Sequence, residues 1–103
     1  MKPSEQLQAA KELIKDPGNW IKGQFRDLAN KKFCMIGSLH QAAPTESIGK
    51  SMDFLSLVIP EKKIHCIPDF NDHPDTAHAD VMKVFDDAIV LAKEAEDGVE
   101  VLI

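Results

Sequence analysis

Between Ala77 and Glu96 the residues Val81, Phe85, Ala88 and Ala92 recur at helical spacing, and Met82 and Ile89 widen the stripe. A helix of that length with one apolar face must bury it, so the rest of the 103-residue chain has to supply cover. Thr76 stands in the capping position and Asp97-Gly98 supplies the stop. A chain this short holds one core, so residues 1–103 are read as a single globular domain.

The cover is predicted to be mainly helical. Ser4, following Pro3, is the expected N-cap of a first helix whose Leu7, Ala10, Leu13 and Ile14 share a face. Asp16-Pro17-Gly18 ends it. A short helix is expected from Cys34 through Met35, Ile36, Leu39 and Ala42, broken at Ala43-Pro44. Another follows, capped by Thr45 and carrying Ile48, Met52, Leu55 and Val58 up to Pro60.

Two apolar runs, Trp20 to Phe25 and Lys32 to Ile36, flank the turn chemistry of Asp27 to Asn30 and predict a β-hairpin. Ile64 to Phe70 reads as an extended connector because Pro68 spoils a central strand. Val99 to Ile103 is a closing strand or a frayed tail. The expected class is therefore α+β: about four helices with a small hairpin near residues 20–34.

Charge narrows the function classes. A net charge of −5 repels phosphate backbones unless a local basic patch overrides it, and Lys31-Lys32 and Lys62-Lys63 are too short to do so. One Trp, five Phe and no Tyr leave little for base stacking. No direct nucleic-acid binding is expected. The opening Met-Lys-Pro-Ser-Glu-Gln-Leu-Gln has no apolar stretch, and no run approaches the ~18 apolar residues of a membrane span. A cytosolic protein with reduced Cys34 and Cys66 is expected, without a membrane role.

Chemistry-bearing residues are sparse. Cys34, at the expected start of a helix and near Lys31 and Lys32, is a candidate nucleophile if the helix dipole lowers its pKa. The competing reading is a buried cysteine among Phe33, Met35 and Ile36. No metal site is expected, since no Cys-x-x-Cys or His-Glu-x-x-His spacing occurs. No phosphate-binding glycine loop occurs either, and no cofactor is expected.

Asn71-Asp72 precedes Pro74 and the long helix. It is either a ligand-orienting pair at that helix's positive end or an Asx turn that anchors the loop, with Trp20 and the Cys34 segment as partners. Trp20 is expected to plug the gap between hairpin and helices, its indole N–H seeking a loop carbonyl or Asp72. Phe70 is read as a core plug.

Trp20-x-x-Gly23, Cys34-Met-Ile-Gly37-Ser-Leu39, Phe70-Asn71-Asp72 and a Thr-capped helix follow one another along the chain. This order resembles a family of small bacterial and bacteriophage proteins known as a domain of unknown function. Its members carry a Trp with a following Gly, a Cys-x-x-Gly-Ala-Leu-like segment, a Trp-Asn-Asp segment and a Thr-opened helix. Here Phe70 replaces the second Trp and Ser38 replaces Ala. His78 and Ala79 replace the usual acidic first turn, which removes the carboxylate that would reach back to the cap.

The resemblance implies a bacterial or phage origin and supplies no activity. It sets Trp20, Gly23, Cys34, Gly37, Phe70, Asn71 and Asp72 apart as motif residues, leaving out His40, His65, Cys66 and His73. A Cys34–His40 pair loses support on that ground.

The expected function is a non-enzymatic accessory domain that binds a protein partner or a ligand. Two alternatives stay open: a small hydrolase or transferase using Cys34, and an acidic inhibitor of a nucleic-acid-binding machine. A homo-oligomer is open too, through Phe54 to Ile59 or Val99 to Ile103.

Overall fold

The computed structural model describes residues 1–60 and 66–98. Among them are five helices and a two-stranded antiparallel hairpin, in one α+β domain. The expected closing strand at Val99 to Ile103 and the start of the expected connector at Ile64 lie outside the described residues.

Helix α1 runs Pro3–Leu13 and buries Leu7 and Ala10, with Ile14 following at its C-cap. Its cap is Lys2, not Ser4. Pro3 takes the first helical position, where a missing N–H is harmless, and Glu5 accepts the Lys2 N–H at 2.7 Å. Ser4 is thereby free to serve tertiary structure: its N–H and hydroxyl both donate to Glu96, at 3.0 and 2.5 Å.

After a 3₁₀ turn at Pro17–Asn19 come β1, Arg26–Asp27, and β2, Lys32–Phe33, with Arg26 opposite Phe33 and Asp27 opposite Lys32. The strands are shorter than the sequence predicts. Gly23, at φ +84°, turns the chain between Trp20 and Phe25 and ends any extended run there. Trp20 and Ile21 instead lie along the far edge of β2, where the Ile21 N–H meets the Phe33 carbonyl at 3.1 Å.

Helices α2 (Met35–Ala42) and α3 (Gly49–Val58) fall close to their predicted places. Ile48 rather than Thr45 occupies the α3 cap, because burial of the Ile48 side chain fixes where that helix begins. The expected connector contains a helix, α4, at Ile67–Asp72, with Pro68 tolerated in its first turn. Helix α5 spans His78–Glu96 and is capped by Ala77. That start, one residue later than a Thr76 cap would give, brings Asp80 into position to accept the Ala77 N–H at 2.8 Å. The reach-back carboxylate is present after all.

The apolar stripe of α5 packs on α1 and α3, and α1 also packs on α2. Leu7, Ile14, Met35, Leu39, Leu55, Val81, Val84 and Phe85 are fully buried, each of the larger ones contributing about 1.5–3 kcal/mol. Phe54 and Leu55 belong to this core, so of the segment once open for self-association only Leu57 among its large residues is well exposed. Between α1 and α3 a polar seam is satisfied: Ser51 donates to Gln6 at 2.7 Å, and Gln6 donates to the Ser47 carbonyl at 3.1 Å. No described helix is long and apolar enough to cross a membrane.

Candidate functional site

Asn71 and Asp72 form the last turn of α4, not a loop at the positive end of α5. Asn71 is 1% exposed. Its Oδ1 accepts the Trp20 indole N–H at 2.7 Å and the Met35 N–H at 3.1 Å. Its Nδ2 donates to the Ile21 carbonyl at 3.0 Å and to Asp72 Oδ1 at 2.9 Å. Both ends of the amide are therefore in use. Met35 opens α2, so its N–H has no partner within that helix, and Asn71 supplies one from another segment.

Asp72 Oδ1 also accepts the Gly23 N–H at 2.9 Å. These are bonds to distant segments rather than the expected Asx turn. Trp20, half-buried, meets Asn71 instead of a loop carbonyl or Asp72. The Lys22 ammonium lies 5.4 Å from the Trp20 ring centre and donates to the His73 carbonyl at 2.6 Å. On another side the His78 ring lies 6.0 Å from Trp20 and its Nε2 meets the Ile14 carbonyl at 2.7 Å. A carbonyl only accepts, so that nitrogen carries a proton.

Cys34 is the N-cap of α2 and its Sγ accepts the Gly37 N–H at 3.3 Å. The Cys34 N–H donates to the Phe25 carbonyl at 3.0 Å. That carbonyl lies so close to Gly37 that a Cβ there would stand 1.9 Å from it. Glycine at this place is what lets the hairpin backbone rest on α2.

Burial pushes the Cys34 thiol up from its ordinary pKa, and the negative charge of Asp72 adds to the effect. The N–H groups of Gly37 and Ile36 act the other way and are outweighed. The lowering expected from the helix start does not materialise. Cys34 and Cys66 are both free, Cys34 buried and Cys66 exposed.

Gly23, Cys34, Asn71 and Asp72 line a hollow of about 200 Å³, together with Gln24, Phe25 and Pro68. Trp20, Gly37 and Phe70 are not part of its lining, and Phe70 is a buried part of the core. Lacking an indole N–H, Phe70 needs no polar partner there. Phe25 lines a second, larger groove of about 590 Å³ with Arg26, Ile36, Gly37, His40, Pro44 and Met52. From sequence alone Phe25 is only the end of the run from Trp20; the available signal was an aromatic beside turn residues, with Arg26 next to it.

Among the described residues no histidine hydrogen-bonds the Cys34 thiol, whose partner is the Gly37 N–H. His73 Nδ1 accepts the Asp75 N–H at 3.1 Å, His78 bonds Ile14, and His40 lines the larger groove. Among the described residues no three metal-ligating side chains gather.

No curated protein and no solved structure matches the chain. The model of DUF6197, described as a family of unknown function, matches residues 1–91, a span that contains every motif residue named above. The chain belongs to that family.

Proposed function

We propose that this chain is a non-enzymatic accessory domain of bacterial or phage origin, acting in the cytoplasm by binding a protein partner or a small ligand. One observation carries the reading: the Asn71 amide, the Cys34 thiol and one carboxylate oxygen of the exposed Asp72 are used within the fold. Asn71 makes four hydrogen bonds, and Asp72 holds the Gly23 backbone. The Cys34 thiol is buried and held neutral near physiological pH. A general base or nucleophile needs a group whose proton is free to move, and this cluster is arranged for holding instead.

The second reading, a hydrolase or transferase using Cys34, draws on its place in the hollow beside Asp72. Iodoacetamide treatment of the native protein near neutral pH separates the two. The binding reading expects Cys66 to be labelled and Cys34 to stay unmodified until the protein is unfolded. Rapid native labelling of Cys34 would transfer support to the nucleophile.

A further inference from the structure

Arg26 carries the free edge of the hairpin. The register sets it opposite Phe33, and one pair along the Cys34 N–H donates to the Phe25 carbonyl at 3.0 Å. Bonded and non-bonded pairs alternate along an antiparallel ladder, so Arg26 and Phe33 form a non-bonded pair whose backbone groups point to opposite sides. Phe33 shows this directly, since its carbonyl accepts the Ile21 N–H at 3.1 Å on the far side of β2. The N–H and C=O of Arg26 therefore point away from β2, and neither meets a backbone partner among the described residues.

The same residue belongs to the wall of the groove of about 590 Å³. Helix α2 contributes Ile36, Gly37 and His40 to that groove, α3 contributes Met52, and Pro44 lies between them in sequence. Ile36 is buried, Met52 is half-buried and Phe25 is 60% exposed, which gives the groove an apolar lining. The Phe25 backbone is fixed by its bond to Cys34 and its seat on Gly37, so the aromatic is presented in a set place. One groove thus combines a residue with an unpaired strand edge, one face of a helix and an exposed aromatic.

Deepening the binding reading, on which it rests, we propose that β1 and this groove take an extended segment of a partner protein. The backbone of that segment pairs with Arg26 as a third strand outside β1, and one bulky apolar side chain packs against Phe25, Ile36 and Met52. Because β1 is two residues long, backbone pairing is confined to Arg26 and the side chain in the groove supplies the selectivity. A helical segment fits less well, since its own N–H and C=O groups are bonded to each other and leave Arg26 unmatched. A second copy fits less well too: pairing β1 with β1 about a two-fold axis sets Arg26 directly against its own copy, and like charges directly opposite are destabilising. A nucleic acid meets a chain of charge −5 and only one aromatic in the groove.

The test is selection of a random-sequence linear peptide library, displayed on phage, against the full chain, followed by synthesis of the tightest binder. Enriched peptides are expected to share one bulky apolar residue. Saturation with the synthetic peptide should slow amide exchange at Arg26 about tenfold or more, while Cys34, whose N–H is already bonded to Phe25, changes little. Methylating the peptide's backbone nitrogens one at a time should weaken binding about tenfold at one position and little at the positions on either side, because neighbouring N–H groups point the other way. Phe25→Ser should also weaken binding about tenfold, and its thermal melt should match the parent because the side chain is exposed.

No enrichment, peptides that bind as helices, unchanged exchange at Arg26, or binding indifferent to Phe25→Ser would each overturn the proposal. So would displacement of the peptide by single-stranded oligothymidylate, or a dimer in sedimentation that protects the Arg26 amide without peptide. Cys34 labelling is independent of every one of these outcomes, so the strand edge can fail while the non-enzymatic reading stands.

Discussion

The indole N–H of Trp20 is 2.7 Å from Oδ1 of Asn71, across 51 positions of sequence. The same oxygen accepts the first N–H of α2, and the same amide holds the Ile21 carbonyl. One buried side chain in a six-residue helix thus joins the hairpin's approach strand to the helical core. Neither a lone hairpin nor a six-residue helix is stable in water, so each depends on this joint.

Replacing Asn71 by Ala strands the Trp20 indole, the Met35 N–H and the Ile21 carbonyl together. The Met35 N–H is buried and the other two groups are part-buried, and a buried group left without a partner costs about 1–3 kcal/mol, so a loss of about 2–3 kcal/mol is expected in urea unfolding. Asn71→Asp should be nearly as damaging, since it sets a second carboxylate against Asp72 and the Ile21 carbonyl.

Gly37→Ala places a methyl group where the Phe25 carbonyl already stands. Overpacking against side chains costs about 1–3 kcal/mol, and backbone yields less readily, so the upper end or beyond is expected. Amide exchange should quicken at Cys34, whose N–H donates to that carbonyl. Gly49→Ala, with no atom nearer than 3.8 Å, is the control and should be neutral or slightly stabilising.

Burial raises the Cys34 pKa in the folded state, so folded protein holds this proton to higher pH than unfolded protein does. The associated stability is complete below the ordinary thiol pKa and declines as pH climbs toward the raised value. Urea midpoints measured through the alkaline range should fall in the parent and fall less in Cys34→Ala. Native alkylation of Cys34 should accelerate only above the ordinary thiol range.

Asp80→Ala removes the acceptor of the Ala77 N–H at the start of α5. A loss of about 1 kcal/mol is expected in thermal or urea melts, with no change at the hairpin. Thr76→Ala tests the rejected cap. Because Thr76 is buried ahead of the helix, its effect should come through packing rather than through the first turn of α5.

The long helices were legible because Leu7, Ala10, Val81, Phe85, Ala88 and Ala92 repeat at the helical period, and that period reflects the face they bury. Helix α4 was not, since six residues give too few turns for a period and Pro68 argues against regular structure unless it falls in a first turn. Pro68 followed by Asp69, with Ile67, Phe70 and Asn71 spaced to share a face, was the available signal. Caps shifted for a similar reason: Ser4, Thr45 and Thr76 have capping chemistry, but Pro3, the burial of Ile48 and the reach of Asp80 set where the helices begin.

At the candidate site the residue types were readable and their partners were not. Asn71 could bond locally or at a distance, and only the packing of α4 against α2 decides for Trp20, Ile21 and Met35. The Cys34 pKa turned on burial, which outweighs the helix start, and a position next to Phe33 and Met35 permits either result.

The central claim is that the motif residues act together as a structural joint. A double-mutant cycle on Trp20→Phe and Asn71→Ala, read by urea unfolding, tests it most directly. Coupling of about 1 kcal/mol or more is predicted, within the ~0.5–3 kcal/mol typical of contacting residues. Additivity to within ~0.3–0.5 kcal/mol, as for distant independent sites, would contradict the joint.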